Sequence, residues 1–224
     1  MPLRAIALNC SLKRSPETSS TDVLLGELCD ALRKEGADVG EPVRVVDLDV
    51  RPGVTSDEGD GDAWPELRRQ ILDTDVLVIG TPVWLGQPSS VAKRVLERLD
   101  AFLSETDDAG RMISYDKVAV VAVVGNEDGA HHISAELFQA LNDVGFTIPA
   151  GAVTYWVGEA MGRTDYKDLD PKPEAVTSTT ATVARNAVHL AGLLTDRGYP
   201  RAEPGRAHAR RTRHRASAAA GARP

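Results

Sequence analysis

Aromatic residues and cysteines are both scarce in this sequence of 224 residues. Aromatic side chains make up 4% of it, which argues against a cofactor cage built from rings and favours layered packing of Val, Ala and Leu. The two cysteines, Cys10 and Cys29, form no C-x-x-C pair and imply no disulfide framework. A folded chain of this length buries roughly 70% of its unfolded surface, so it needs neither a disulfide nor a structural metal to fold.

Long apolar runs are lacking too. The apolar stretch from Leu3 to Leu8 is short and is interrupted by Arg4, so it does not have the pattern of a signal peptide. Nothing in the sequence approaches the length of a membrane span. We therefore expect a cytoplasmic protein without a membrane partner.

Charge is distributed unevenly. The net charge is −7, yet residues 200–224 carry seven Arg and one Glu, a balance of +6, which leaves −7 − 6 = −13 on the rest. Such an acidic body would repel a phosphate backbone, so no nucleic-acid partner is expected. The change of composition predicts a domain over residues 1–199 and a disordered Arg/Ala-rich tail over 200–224. The alternatives are that this tail binds nucleic acid, binds an acidic membrane, or folds back on the acidic remainder of the chain.

Two common phosphate-binding motifs are missing. No G-x-G-x-x-G follows the first apolar run and no G-x-x-x-x-G-K-[ST] occurs anywhere, which argues against a Rossmann dinucleotide domain and a P-loop NTPase. A receiver domain needs acidic residues at the end of the first strand, where this sequence has Asn9 and Cys10.

Short β-rich runs alternate with helical patterns along the chain. The runs span residues 3–8, 43–48, 76–79, 118–124 and 152–157, and apolar stripes at helical spacing lie at 24–32, 64–72, 91–102, 137–144 and 183–194. This alternation predicts an α/β fold with a parallel sheet. Five such units resemble the flavodoxin-like three-layer sandwich, a five-stranded parallel sheet of order 2-1-3-4-5.

Ligands of open α/β sheets bind outside the carboxyl ends of the strands. In this sequence the loops predicted to follow those ends are residues 9–21, 81–88 and 125–132, and we expect a ligand to bind there. The first loop, NCSLKRSPETSST, leads into a helix, and its hydroxyls with the free N–H groups of that helix form a candidate phosphate site. The alternative is a polar turn with a helix cap. In the second loop, TPVWLGQP, Trp84 is either a wall for a flat ligand or a core residue.

The third loop, GNEDGAHH, follows the most apolar strand. Gly125 and Gly129 let backbone N–H groups approach a planar heterocycle, and Asn126 can donate or accept. His131 and His132 lack the carboxylate spacing of a metal motif, so no metal is predicted. A phosphate cradle, an aromatic wall and a polar edge together suit FMN.

These loops resemble those of the flavodoxin-like NADPH-dependent FMN reductases and multimeric flavodoxins. That family has G-S-x-R-x-x-S-x-T or S-P-R-x-x-G-N-T after the first strand and T-P-x-Y/W-x-G-x-x-S after the third, where this chain has NCSLKRSPETSST and TPVWLGQPSS. The chain departs from the first motif at Cys10, where the family has glycine, and around Pro16. The resemblance covers roughly residues 3–194. It implies a homodimer and the following FMN-binding residues: Ser11, Lys13, Ser19, Ser20, Pro82, Val83, Trp84, Leu85, Gly86, Gly125, Asn126 and Gly129.

A bound flavin carries the redox chemistry itself, so no catalytic side chain is predicted. The leading hypothesis is an FMN-dependent oxidoreductase that takes hydride from NAD(P)H and passes electrons to a quinone, a free flavin or a similar small acceptor. The alternatives are a flavodoxin-type electron carrier and a flavin-free interaction domain. No local motif separates NADPH from NADH or names the acceptor.

Overall fold

The apolar runs form the central strands of one twisted sheet. The computed structural model describes residues 2–160 and 162–201. Its strands are β1 (Arg4–Asn9), β2 (Asp38–Val39), β3 (Val43–Arg44), β4 (Val76–Trp84), β5 (Gln87–Pro88), β6 (Val118–Gly125) and β7 (Val153–Val157). Their order is β2-β1-β4-β6-β7, all parallel, with β3 also paired to β1 and β5 antiparallel to β4.

The predicted fold class is confirmed, and the sheet differs from the prediction in detail. Among the described residues it has seven strands rather than five. When the short strands β3 and β5 are set aside, the observed order corresponds to the predicted 2-1-3-4-5. The second strand predicted over 43–48 is wrong beyond Arg44, because a 3-10 helix, Val45–Asp47, replaces it.

In the described part of the chain, five α-helices cover the two faces of the sheet: α1 (Ser20–Lys34), α2 (Trp64–Leu72), α3 (Ser90–Leu99), α4 (Ala130–Asp143) and α5 (Glu174–Asp196). Side chains alternate along each buried strand, so Leu77 and Ile79 of β4 face α2, α3 and α4, whereas Val76 and Val78 face α1 and α5. Both faces of the central strands are therefore buried, as their unbroken apolar sequence predicts. The result is the expected sandwich of three layers.

A buried ion pair fixes the connection between β3 and α2. The side chains of Arg98, on α3, and Asp62 are both buried, with 2.8 Å between Nη2 and Oδ2. The Arg98 Nη1–H donates to the carbonyl of Arg51, and the guanidinium lies 5.5 Å from the centre of the Trp64 ring. Asp62 also accepts N–H bonds from Glu58, Trp64 and Arg51. This polar cluster holds the Gly-rich connection onto α3.

After α5 the chain continues to Tyr199. The ring of Tyr199 packs on Tyr115, and its backbone N–H donates to Asp116. Residues 202–224, which include most of the predicted tail, lie outside the described residues. The division at 199/200 and the disorder of the tail stay predictions. No helix among residues 2–160 and 162–201 is long and apolar enough to cross a membrane.

Candidate functional site

The first loop is shaped by the residue that ends β1. The side-chain amide of Asn9 accepts the Ser11 N–H (2.9 Å) and donates to Asp22 (2.5 Å), so it ties the strand end to α1. Ser11 is buried, and its hydroxyl donates to the carbonyl of Lys13 at 3.3 Å. The loop is therefore held by its own polar groups in a fixed curve in front of α1.

The N-terminus of α1 closes this loop with a capping box. The Asp22 N–H donates to the Ser19 hydroxyl at 3.1 Å, and the Asp22 carboxylate accepts the Ser19 N–H at 2.6 Å. The N–H groups of Ser20 and Thr21, in the first turn, have no acceptor within the helix. These two donors, at the positive end of the helix dipole, are available to an anionic ligand.

Two cationic side chains at this loop, those of Arg44 and Lys13, are paired with acceptors of the loop itself. Arg44 of β3 pairs with Asp22 at 2.5 Å and donates to the carbonyls of Lys13 and Glu17 at 2.9 and 2.8 Å. The Lys13 ammonium lies 2.8 Å from the Glu17 carboxylate, and this hydrogen bond raises the pKa of Lys13. An anion in the loop would thus be bound chiefly by N–H and O–H donors.

The second loop is a tight hairpin at the end of β4. Trp84 pairs with Gln87 across it, and Leu85 and Gly86 form the turn with φ of 51° and 71°. Both angles are positive, as a type I′ turn requires. Trp84 is 53% exposed and Leu85 91% exposed, so neither belongs to the core. Of the two roles considered for Trp84, its exposure excludes the core residue.

The third loop packs against this hairpin through two glycines. A Cβ on Gly129 would lie 2.7 Å from the Gly86 Cα, so the backbones touch where a side chain could not fit. The Leu85 N–H donates to the Glu127 carboxylate at 3.0 Å, which joins the loops a second time. Gly125 ends β6, and a Cβ there would lie 2.8 Å from that of Val83.

A segment after β7 supplies Asp165, which sequence reasoning missed. Tyr166 beside it is buried, donates to Glu27 of α1 at 2.5 Å and packs on Trp156. The Asp165 carboxylate accepts from the Asn126 side-chain amide at 2.9 Å. The anchored tyrosine thus holds Asp165 against the third loop.

The three loops and this segment enclose one cleft of about 480 Å³. Among the predicted cofactor residues, those that line it are Ser11, Lys13, Ser19, Ser20, Pro82, Val83, Trp84, Leu85, Gly125 and Asn126. Gly86 and Gly129 do not line it, since they form the contact between the hairpin and the third loop. The lining also includes residues that were not predicted: Leu12, Thr21, Val124, Glu127 and Asp165. Four of these lie in or beside the predicted loops, whereas Asp165 has no sequence signal.

The two histidines of the third loop lie outside the lining of the cleft. His131 is 3.0 Å from the Tyr155 hydroxyl, and His132 is 3.0 Å from the Gln87 amide and 3.8 Å from the Glu136 carboxylate. Among residues 2–160 and 162–201, no group of His, Cys, Asp or Glu side chains could hold a metal ion. The contacts of His131 and His132 are typical of polar side chains in the first turn of a helix.

Cys10 lies under the first loop and is fully buried. Burial raises the pKa of its thiol to about 12, so the sulfur stays protonated at neutral pH. A protonated, enclosed thiol is not a nucleophile. Cys10 instead contributes its carbonyl, which accepts the Ser89 hydroxyl at 2.5 Å and ties the first loop to the start of α3.

The family model for NADPH-dependent FMN reductase matches residues 3–162. The 8-demethyl-8-aminoriboflavin-5'-phosphate synthase of Streptomyces davaonensis is 33% identical over 211 residues, which cover 89% of this chain and 81% of that protein. The divalent metal cation transporter MntH of Mycobacterium bovis is 37% identical over 199 residues. This second match covers 86% of the chain but 29% of the transporter, so the chain spans less than a third of that protein.

A crystal structure of RosB with the bound intermediate 8-demethyl-8-formylriboflavin-5'-phosphate is also similar. It superposes with a TM-score of 0.81 at 29% identity, over 99% of this chain and 89% of that one. FMN is the cofactor of the matched family. The cleft fits it, because an exposed indole, a polar amide edge and a helix start with free N–H groups surround one volume of ligand size. With the family model matching most of its length, the chain belongs to the NADPH-dependent FMN reductase family.

Proposed function

We propose that this protein is an FMN-dependent oxidoreductase that takes hydride from NAD(P)H and passes electrons to a small acceptor such as a quinone or a free flavin. The observation that carries the proposal is the cleft itself. A helix N-terminus, the exposed Trp84 and the Asn126 amide surround one volume of about 480 Å³, as a phosphate-tailed flat ring requires. FMN supplies the electron transfer when it is bound.

The phosphate would lie against the first loop. Ser20 and Thr21 offer hydroxyls there, and the first turn of α1 offers N–H groups. Ser11 lines the loop as well, but its hydroxyl donates to the carbonyl of Lys13 and would have to turn to reach a phosphate. The Ser19 hydroxyl is engaged by Asp22, so its part is to hold the helix start in place. Each charge-assisted hydrogen bond is worth about 1.5–3 kcal/mol, and several together would bind a phosphate without a dedicated cation.

The ring would lie between the hairpin and the third loop. Trp84 and Leu85 form an apolar wall that is largely exposed to solvent, and Leu12, 47% exposed, adds a third large apolar side chain at the rim. Covering these side chains with a ligand removes apolar area from water, which favours binding. At the polar edge, Asn126 donates to Asp165, and its carbonyl oxygen is left to accept from a ring N–H.

A second candidate function treats the phosphorylated flavin as the substrate. It is favoured by the likeness to the aminoriboflavin-phosphate synthase and to RosB, whose structure holds a modified riboflavin phosphate. The same cleft would then bind the flavin as a reactant that is altered and released. This would make the flavin exchangeable rather than resident.

The visible absorption spectrum of the purified protein, with FMN added, tests the proposal. We expect oxidised flavin bands that bleach on anaerobic addition of NADPH or NADH and return when a quinone is added. Bands that persist with both coenzymes would contradict the reductase and leave an electron carrier. Mass spectrometry of the flavin after incubation with amino donors tests the second candidate, since an altered flavin mass would support it. A protein that takes up no FMN would contradict both functions.

A further inference from the structure

The flavin cleft has more negative than positive charge in its lining. Among the described residues that line it, Glu127 and Asp165 are carboxylates and Lys13 is the one cation, and the Lys13 ammonium is already paired with Glu17. A flavin phosphate would add about two negative charges, as other phosphate monoesters do near pH 7. The donors of the first loop would bind that group against repulsion by the carboxylates. A further cation beside the lining would offset this repulsion.

Lys167, in the segment after β7, lies next to this lining at two points. Its backbone N–H donates to the Ser20 hydroxyl at 3.3 Å, and its Nζ lies 4.0 Å from Oδ2 of Asp165. Ser20 and Asp165 both line the cleft, and Ser20 lies at the start of α1, where the phosphate is expected. Because a lysine side chain is long and flexible, the ammonium of Lys167 can reach a phosphate at this end of the cleft.

The Lys167 ammonium is not held by a hydrogen bond. A separation of 4.0 Å exceeds hydrogen-bonding distance, and among residues 2–160 and 162–201 no acceptor binds this Nζ. Lys172, in the same segment, is the contrast, since its Nζ donates to the carbonyls of Tyr166 and Leu169 at 2.9 and 2.7 Å. Lys172 therefore stabilises the fold of the segment, whereas the three N–H donors of Lys167 are left for an anion.

The contact with Ser20 also orients a neutral donor. Because the Ser20 hydroxyl accepts the Lys167 N–H, its own proton is left to donate to a ligand. Asp165 uses its other oxygen, Oδ1, to accept from the Asn126 amide at 2.9 Å. A phosphate that drew the Lys167 ammonium towards it would thus leave the Asn126 contact in place. Lys167 therefore supplies a charge and directs a hydroxyl at the same end of the cleft.

We propose that Lys167 is the residue that makes the cleft select a phosphorylated flavin over riboflavin, by binding the phosphate through its ammonium. The inference rests on the proposed function, since either candidate there requires a flavin phosphate in the cleft. It concerns a part of the chain beyond residue 162, where the match to the family model ends. A hydrogen bond between ammonium and phosphate is stronger than one between neutral groups, and riboflavin, which has no phosphate, would not form it.

Flavin fluorescence titration of the full chain with FMN and with riboflavin tests this role. Lys167→Gln should weaken FMN binding roughly tenfold or more and leave riboflavin affinity unchanged, because the charged contact is lost while the backbone N–H still reaches Ser20. Lys167→Arg should retain most of the preference for FMN. Lys34→Gln, which removes the same charge from the exposed far end of α1, should alter neither affinity. Unchanged riboflavin binding also shows that the variants are folded.

Undiminished FMN affinity in Lys167→Gln would overturn the proposal. An equal loss of FMN and riboflavin affinity would overturn it too, since Lys167 would then only support the fold of its segment. Anaerobic bleaching of the bound FMN separates these results from the fate of the proposed function. If neither NADPH nor NADH bleaches the flavin but the preference for FMN depends on Lys167, the proposal is supported and the oxidoreductase fails. If either coenzyme bleaches it and the preference survives in Lys167→Gln, the oxidoreductase stands and Lys167 is not its phosphate contact.

Discussion

Trp84 lies at the end of the central strand with about half of its side chain in solvent, and Asp165, from the segment after β7, lines the same cleft. The two residues represent different kinds of contact. Trp84 is exposed and can offer the face of its indole to the ring of a ligand. Asp165 accepts a hydrogen bond from the Asn126 side-chain amide, and would affect a ligand by orienting that amide.

Replacing Trp84 by Ala should weaken FMN binding and leave the fold intact. An aromatic contact contributes about 0.5–1.5 kcal/mol beyond area burial, which corresponds to a loss of roughly two- to tenfold in affinity. Flavin fluorescence titration measures the affinity, and the thermal midpoint should shift little because the side chain is half exposed. Trp84→Phe should recover most of the affinity. If the Ala variant binds FMN as tightly as the parent, Trp84 is not part of the flavin wall.

Replacing Asp165 by Asn should release the Asn126 amide from its single orientation, since a carboxylate only accepts whereas an amide also donates. Removing the negative charge of Asp165 would also strengthen the binding of a nearby phosphate and so mask the loss. Riboflavin, which has no phosphate, is therefore the better probe. We expect riboflavin affinity to fall by about 1 kcal/mol, or several-fold. Asp168→Asn, in the exposed turn beside it, is the matched control. Unchanged riboflavin affinity would show that Asp165 does not orient Asn126.

Among the elements, the start of α1 has two adjacent serines for which we expect different roles, structural for Ser19 and ligand binding for Ser20. Ser19→Ala removes the capping box, which should cost about 1 kcal/mol of unfolding free energy, measured by urea denaturation. Ser20→Ala leaves the cap in place and removes a hydroxyl that lines the cleft. It should lower FMN affinity more than stability. The reverse pattern would place the phosphate contact at Ser19 and the structural role at Ser20.

The central elements could be predicted from sequence because one local property determines them. The core of β4 and all of β6 except its last residue, Gly125, are buried on both faces, so their apolar runs are unbroken. Residues 43–48 misled the prediction because they lie at the edge, where only Val43 and Arg44 pair with β1 and the chain then turns. Asp165 could not be predicted at all, since its place depends on the contact between Tyr166 and Glu27, which are 139 residues apart.

At the scale of the whole molecule, the buried Arg98–Asp62 pair links global stability to pH. Burial opposes the charge of Asp62, but N–H bonds from Glu58, Trp64 and Arg51 outweigh it and lower the pKa of the carboxyl to about 2. A carboxyl with a depressed pKa stabilises the fold above its unfolded pKa of about 3.9. We expect roughly 2 kcal/mol of unfolding free energy to be lost as the pH falls from about 4 to 2.

Asp62→Asn tests the same pair at neutral pH. The substitution leaves the Arg98 charge buried without its partner, which typically costs about 3–5 kcal/mol. The double variant Asp62→Asn with Arg98→Met removes both charges, keeps an acceptor oxygen for the N–H groups of Arg51 and Trp64, and should be more stable than the single variant. The acid-dependent loss should disappear in both. If that loss persists in the double variant, other carboxylates carry the acid sensitivity.

The family resemblance also implies that the whole molecule forms a homodimer. Leu12, Trp84 and Leu85 expose apolar surface around one cleft, which a ligand, a second copy or both would cover. We expect sedimentation at micromolar concentration to give a dimer. A monomer over the whole concentration range would contradict this expectation without bearing on FMN binding.

Neither native thiol is accessible to reagents in the folded protein. Cys10 and Cys29 are fully buried, and burial raises the pKa of the Cys29 thiol to about 11, close to that of Cys10. Maleimides react with exposed thiolates, so neither residue should be modified while the protein stays folded. A single cysteine introduced at an exposed position would therefore take a fluorescent or spin label without any need to remove the natural ones, and distances across the cleft could be followed as ligands bind.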